Sequence, residues 1–514
     1  MQQGRKKGGC AATGGNDMSK SDKLEKARAY EKKKAAKIGA ADRPAFHLTP
    51  YVGWMNDPNG FSLYKGQYHL FYQYYPYDTN WGPMHWGHAV SHDLLHWEYL
   101  PCAMTGDREY DRNGVFSGSA IELPNGKQLL MYTGVREDKI KGKKKTRIRQ
   151  TQCVAVGDGV NYKKYGSNPV ITGSQLPEGA SLEDFRDPKI VRADDGSYLC
   201  YVGSRPADGS GQILVYESRD GFEWKFRNIL IENKNRVGLM WECPDVFSLD
   251  GKTVLLTSPQ DTRADQLEGL SGNCGIAVVG TVDPETGKLR EEWIQPMDYG
   301  IDFYAHQSVK TTDGRRVMIG WMQNWDACGE RNPKQKWFGQ MTLPRELTIR
   351  DGRILQMPIR ELASFRKHPV KAEDLPVSGC VRLPGVRGRI VDLDMTIRPD
   401  ESEAFSTFEL RFAENEDGSR YCSLTYDRKN GTLSISRLHS GTCRALLHER
   451  TCRVGCADSL HLRVILDRFS AEIFVNDGEQ TMTMVHYSDP KADGISFRAD
   501  GTARLGLEKY DLAL

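Results

Sequence analysis

The chain has 514 residues, enough for two or three domains with large cores, and its 70 Lys and Arg nearly balance 68 Asp and Glu. A net charge of +2 gives no overall field for nucleic acid or a membrane surface, and no run of 18 apolar residues is present to span a bilayer. Gly (51), Tyr (22) and Trp (10) are frequent, which suits short strands, many turns and aromatic faces that stack on sugar rings.

The first 40 residues hold 11 Lys or Arg against 4 Asp or Glu, and they lack the apolar stretch and small-residue cleavage site of a secretory signal. SKSDKLEKARAYEKKKAAKI, residues 19–38, reads as a solvated helix or a disordered arm. Residues 1–40 are therefore expected to be a leader without chemistry. Twelve Cys are scattered singly with no CxxC pair, so reduced thiols in a cytoplasm are expected.

From residue 60 to 325 one pattern returns: an apolar run, a turn ending in Gly, and a second apolar run. The five copies are GFSLYKGQYHLFYQ, SAIELPNGKQLLMYTG, KIVRADDGSYLCYVG, DVFSLDGKTVLLTS and SVKTTDGRRVMIGWM. Their turn glycines Gly66, Gly126, Gly196, Gly251 and Gly314 lie 60, 70, 55 and 63 residues apart. Asn-Gly and Asp-Gly between apolar runs are strong hairpin signals. Asp93, Asp158 and Asp220, each ahead of an aromatic strand, repeat at 65 and 62 residues. A unit of this length with about four strands is a propeller blade, and five units predict a five-bladed β-propeller over residues 41–360.

The repeat stops after LPREL, residues 343–347, and residues 366–380 are polar with two prolines. Alternating strands then resume in FSTFELRF, CSLTYDRKNGTLSISR and LHLRVILDRFSAEIFVNDG. Residues 361–514 thus predict a C-terminal antiparallel β-sandwich, and the whole chain is all-β.

Three acids stand at the start of hairpin copies, where the innermost strand of a blade meets the central channel. Asp57 lies in GWMNDPNG, Asp187 in FRDPK and Glu242 in WECPD. Pro58 and Pro188 stiffen the turns that aim the first two. The three are read as occupying equivalent places in their repeats. Paired carboxylates cleave glycosidic bonds: one acid protonates the leaving oxygen while the other attacks the anomeric carbon.

WMNDPNG, FSGS at 116–119, RDP at 186–188 and EC at 242–243 together resemble glycoside hydrolase family 32, the invertases, sucrose-6-phosphate hydrolases and fructan hydrolases. The resemblance spans residues 45–514 and implies a five-bladed propeller followed by a β-sandwich. It also implies that Asp57 is the nucleophile, Glu242 the acid/base and Asp187 the transition-state stabiliser. By the same matches Asn56, Gln73, Trp81, Phe116, Ser117, Arg186, Tyr304 and Trp325 are expected to bind substrate.

Two further clusters invite other readings. His85, His88, His92 and His96 have spacings that would suit zinc on a helix, but the segment reads as a strand, on which His85 and His88 face opposite ways. KIKGKKKTRIR, residues 139–149, carries seven basic groups and no acid. It is expected to be a hairpin tip with solvated charges, or else to attract an anion such as a phosphorylated sugar.

The resemblance and the acids together predict a cytoplasmic retaining β-fructofuranosidase acting on sucrose or sucrose 6-phosphate. An exo-acting hydrolase of short fructans is the alternative, and an inactive carbohydrate-binding protein the remote one. The expected partner is a small sugar, with no nucleic acid and no membrane. No metal and no organic cofactor are expected, because two carboxylates suffice for the chemistry.

Overall fold

The computed structural model describes residues 22–140, 146–268, 270–329, 334–441, 447–456 and 458–513. Its five turn glycines all adopt positive φ, from +73° at Gly126 to +89° at Gly314. A Cβ added at Gly66, Gly126, Gly251 or Gly314 would meet nothing within 4 Å. The left-handed conformation, and not crowding, is what calls for glycine there. Each turn joins the first two strands of one antiparallel sheet.

Those sheets are five blades. Blade I holds Gly53–Tyr64, Gln67–Tyr75, His85–Ser91 and Glu98–Met104, and blade II holds Gly114–Glu122, Gln128–Lys139, Thr146–Gly157 and Tyr162–Lys164. Blade III holds Phe185–Arg192, Tyr198–Ser204, Gln212–Ser218 and Lys225–Glu232, and blade IV holds Trp241–Leu249, Lys252–Pro259, Ile276–Val282 and Leu289–Pro296. Blade V holds Tyr304–Lys310, Arg316–Trp321, Arg345–Arg350 and Arg353–Pro358, so LPREL leads into its third strand and does not end the repeat. First strands touch in ring order, and that of blade V reaches that of blade I. Trp337–Phe338, between the second and third strands of blade V, adds a parallel strand to blade I and closes the circle.

The second repeat has a local cause. Asp93, Asp158 and Asp220 each accept two backbone N–H bonds in the turn between third and fourth strands, and Asp283 does the same in blade IV. These are Asx turns, in which the side chain replaces a backbone acceptor.

The leader departs from its expected solvation. Asp22–Ala35 is a helix whose Leu24, Ala27, Glu31 and Ala35 are buried. It lies on Glu98–Met104, the outer edge of blade I, where Arg28 Nε donates to the Cys102 carbonyl and Glu31 accepts the Cys102 N–H. The helix thereby covers a sheet edge that would otherwise present unpaired backbone groups. The sequence hid this because three of its four buried positions are alanine or glutamate among lysines. Residues 1–21 of that leader lie outside the described residues.

Burial pushes the Glu31 carboxyl up to about 7, against the Cys102 N–H, which favours the charge. With the folded value above the unfolded one, its contribution is fully present below about 4.5 and is lost as pH rises through about 7. Glu31→Gln is expected to raise the thermal midpoint near pH 8 and to change it little near pH 4.5. Equal effects at both pH values would refute this assignment of the helix charge.

Residues 366–380 also differ from their reading as a break between domains. Arg366–Val381 is a strand paired with Gly494–Leu512, with three register shifts that accommodate its polar, proline-bearing sequence. The long strand Gly494–Leu512 pairs near one end with Thr407–Glu414 and near the other with Val391–Pro399. One hydrogen-bonded sheet thus serves both layers of the C-terminal β-sandwich. Its alternating burial places Ile495, Phe497, Ala503, Leu505 and Leu507 in the core.

A buried polar seam joins sandwich to propeller. Tyr299 and Ile301, ahead of blade V, donate backbone N–H bonds to the Thr481 and Thr483 carbonyls. Arg345 pairs with Asp298 and Glu472, and His47 stands between Asp467 and Glu472. A separate buried pair joins Arg437 to Asp302.

Candidate active site

Every first strand breaks register at its inner end. The shifts fall between Met55 and Pro58, Phe116 and Gly118, Arg186 and Lys189, Glu242 and Asp245, and Tyr304 and Gln307. Asp187, Cys243 and Ala305 take positive φ there, at 66°, 51° and 52°. Each such bulge turns a side chain out of the regular up-and-down alternation. Those of blades I to IV carry residues that line a shared cavity of about 390 Å³, while none of the blade V bulge residues Tyr304, Ala305, His306 and Gln307 reaches it.

The three acids are not in equivalent slots, as the sequence reading had them. Asp187 lies within its bulge, just after the paired residue Arg186, whereas Glu242 is itself paired, with Ser258, and precedes the bulge at Cys243. Cys243 occupies the slot that Asp187 fills in blade III. All three acids nevertheless line the one cavity, with Asn56, Gln73, Trp81, Phe116, Ser117, Arg186 and Trp325.

Hydrogen bonds fix each carboxylate. Ser117 Oγ donates to Asp57 Oδ2 at 2.6 Å and Asn56 Nδ2 to Asp57 Oδ1 at 2.9 Å, while Trp54 Nε1 holds the Asn56 oxygen. The Cys243 backbone N–H donates to Asp187 Oδ2 at 3.0 Å. The Cys243 thiol lies 3.5 Å from Asp57 Oδ2 and 3.7 Å from Asp187 Oδ2, so the two aspartates flank one sulfur. Glu242 accepts Arg186 Nε at 2.8 Å on one oxygen, and Gln260 Nε2 at 2.9 Å and Tyr304 Oη at 2.6 Å on the other.

Crowding sets the charge state. Burial first, and then the nearby Glu242 charge, raise Asp57 above the ordinary carboxylate range, against its three side-chain hydrogen bonds. Asp187 is pushed up to about 7 by burial and by Glu242, with Arg186 pulling the other way. Burial also lifts the Cys243 thiol far above its usual range, as do the neighbouring carboxylates, so it stays protonated and serves as a weak donor. Like charges this close do not ionise independently.

Tyr304 departs from the expectation that it binds substrate. It is fully buried behind Glu242 and does not line the cavity, so it positions the glutamate. Trp325 lines the wall and stacks on Trp54 with ring centroids 6.0 Å apart. Trp81 stands half exposed, 6.2 Å from the Phe116 ring.

Sequence reasoning missed Ile148, Gln150, Glu183, Asp184 and Gln260, which also line the cavity. Asp184 had a signal, the acid-rich EDFRD, and it binds Arg186 at 2.8 Å. Ile148 and Gln150 had none. They come from Thr146–Gly157, the return strand of the basic hairpin, so that hairpin borders the cavity; its residues 141–145 lie outside the described residues. His85 and His88 belong to a strand, and His88 shares a hydrogen bond with His69.

Comparison with known proteins bears on what this cavity does. The model for the N-terminal domain of glycosyl hydrolases family 32 matches residues 47–358, and that for the family's C-terminal domain matches residues 361–512. A Zymomonas mobilis sucrose-6-phosphate hydrolase is 34% identical over 92% of each chain. An Escherichia coli raffinose invertase is 35% identical over 92% of this chain and 94% of its own. The solved structure of a Bombyx mori GH32 beta-fructofuranosidase, 32% identical, superposes with a TM-score of 0.78 over 95% of this chain and 98% of its own.

Proposed function

The chain belongs to glycoside hydrolase family 32, and from that premise we propose that it is a retaining β-fructofuranosidase hydrolysing the terminal β-D-fructofuranosyl linkage of sucrose or sucrose 6-phosphate. The observation that carries the reading is the convergence of Asp57, Asp187 and Glu242 on one cavity, each held by fixed donors. Asp57 attacks the anomeric carbon of the fructosyl unit while Glu242 gives its proton to the departing glycosidic oxygen. The bond to that oxygen breaks as the bond to Asp57 Oδ forms. Glu242 then takes a proton from water, whose oxygen displaces Asp57 and releases fructose with its configuration retained. Asp187 stabilises the positive charge that builds on the ring in the transition state of each step.

The donors suit these roles. Ser117 and Asn56 orient the attacking carboxylate, and Arg186, Gln260 and Tyr304 hold Glu242 in reach of the leaving oxygen. Trp81 at the rim offers a flat face to the departing sugar. The basic hairpin segment 139–149, whose return strand brings Ile148 to the cavity wall, has seven Lys or Arg in its sequence, a charge that suits a phosphate-bearing disaccharide. We place the enzyme in the cytoplasm, where such a substrate arises. Its ten described free cysteines suit a reducing compartment, and no described helix is long and apolar enough to cross a membrane.

The test compares kcat/KM for fructose release from sucrose, sucrose 6-phosphate, and short inulin-type and levan-type oligomers. Sucrose or its 6-phosphate is expected to be the best substrate. Preference for the oligomers would move the assignment to fructan breakdown. Binding without release from any of them would overturn it.

A further inference from the structure

Beneath the catalytic cavity, where regular pairing resumes after each bulge, a second set of side chains faces the propeller axis. Lys189 stands two residues beyond Asp187 and pairs with Tyr201. Asp245 stands three residues beyond Glu242 and pairs with Leu256. Lys189 Nζ lies 3.0 Å from Asp245 Oδ1, so the two close a salt bridge between blades III and IV. Asp245 is fully buried and Lys189 nearly so.

The bridge extends to a third blade. Asp245 Oδ2 accepts both the backbone N–H and the Oγ–H of Ser308, the latter at 2.9 Å. Lys189 Nζ also donates to the Ser308 carbonyl at 3.4 Å. Ser308 lies just beyond the blade V bulge at Ala305, whose neighbour Tyr304 donates to Glu242. One lysine, one aspartate and one serine thus tie together the strands that present Asp187, Glu242 and Tyr304.

An ion pair at this depth carries a desolvation cost that apolar side chains of the same size would avoid. What it adds is direction, because a charge pair with two further hydrogen bonds tolerates little sliding between strands. We infer that the Lys189–Asp245 pair, closed by Ser308, is a positioning device that holds Asp187 and Glu242 at their working separation. None of the three lines the catalytic cavity, so they act through the strands and not on the sugar.

The inference rests on the reading of Asp187 and Glu242 as groups of fructosyl transfer. The test is Lys189→Met combined with Asp245→Leu, which removes both charges and leaves none buried alone. With a thermal midpoint matching the parent, this variant is expected to lose about a hundredfold in kcat on the parent's best substrate, with KM within about twofold. A folded double variant with parental kcat would show that the pair serves stability alone and would overturn the inference.

Should the double variant not fold, Ser308→Ala decides by the same split between kcat and KM. It removes one bond to Asp245, and a loss of about threefold to tenfold in kcat at constant KM is expected. Unchanged kcat there would count against the inference. A parent protein that releases no fructose from any of the four substrate types would fail the functional reading first, before any variant is made, and this inference with it.

Discussion

Asp57→Asn is expected to lower kcat by about four orders of magnitude or more while leaving the fold and sugar binding in place. The amide matches the carboxylate in shape but is no nucleophile, and it forms no stable ester with the fructosyl carbon. Asn56 Nδ2 would keep the amide oxygen, and the Ser117 hydroxyl, which donates to the other oxygen in the parent, can accept from the amide NH2 in its place. Stability should hold or rise at neutral pH, because burial and Glu242 keep the Asp57 carboxyl above its ordinary range. A group of that sign contributes stability below the ordinary carboxylate pKa and loses it as pH rises, so a neutral amide removes a cost near pH 7. Steady-state turnover with a parallel thermal melt checks both parts. Turnover within tenfold of the parent would remove Asp57 from the nucleophile's role.

The second large effect lies at the seam between sandwich and propeller. Arg345 is fully buried and binds Asp298, Glu472, Gln356, Thr481 and Thr483. Arg345→Met would leave Asp298 and Glu472 without their guanidinium, and breaking a buried pair in this way costs about 3–5 kcal/mol. The thermal midpoint is expected to fall by roughly 5–15 °C. By contrast, Arg387→Met at the exposed pair with Asp493 should cost less than about 1 kcal/mol. Similar losses in the two variants would contradict the distinction.

The same seam sets a pH window. Burial alone would lower His47, but its bonds to Asp467 and Glu472 prevail and raise it to about 9. Its contribution is therefore complete below about 6.5 and is lost as pH climbs through about 9. Burial opposes the charge on Asp467 and Glu472 too, yet His47 and backbone N–H groups hold Asp467, and Arg345 and His47 hold Glu472, below their ordinary values. Their contribution runs the other way, present above the ordinary carboxylate range and lost on acidification. The junction is thus firmest from mildly acid to neutral pH.

The propeller was legible because its turns repeat with a fixed residue requirement: each blade spends one glycine at positive φ on the same hairpin. What escaped the sequence was set by tertiary pairing. Arg366–Val381 is a strand because Gly494–Leu512 lies beside it, and bulges absorb the residues that break its alternation. The helix Asp22–Ala35 is docked because blade I has an open edge, which no local pattern announces.

Within the cavity, Asp57 and Asp187 stand out in the sequence because each precedes a proline in a turn-rich motif. Spacing placed Glu242 in the matching slot, but the bulge falls one residue later, at Cys243. A one-residue offset of this kind is invisible without the register of the partner strand. Tyr304 is expected from the resemblance to bind substrate, but a matching motif does not say on which side of Glu242 the ring will pack.

The central claim is that fructose becomes covalently attached to Asp57 during turnover. Rapid acid quench of the enzyme during turnover, followed by mass analysis of the peptide spanning Gly53–Tyr64, tests it most directly. One hexosyl adduct on Asp57, absent from Asp57→Asn, is the predicted result. An adduct on Asp187 or Glu242, or release of fructose with inverted configuration and no adduct at all, would contradict it.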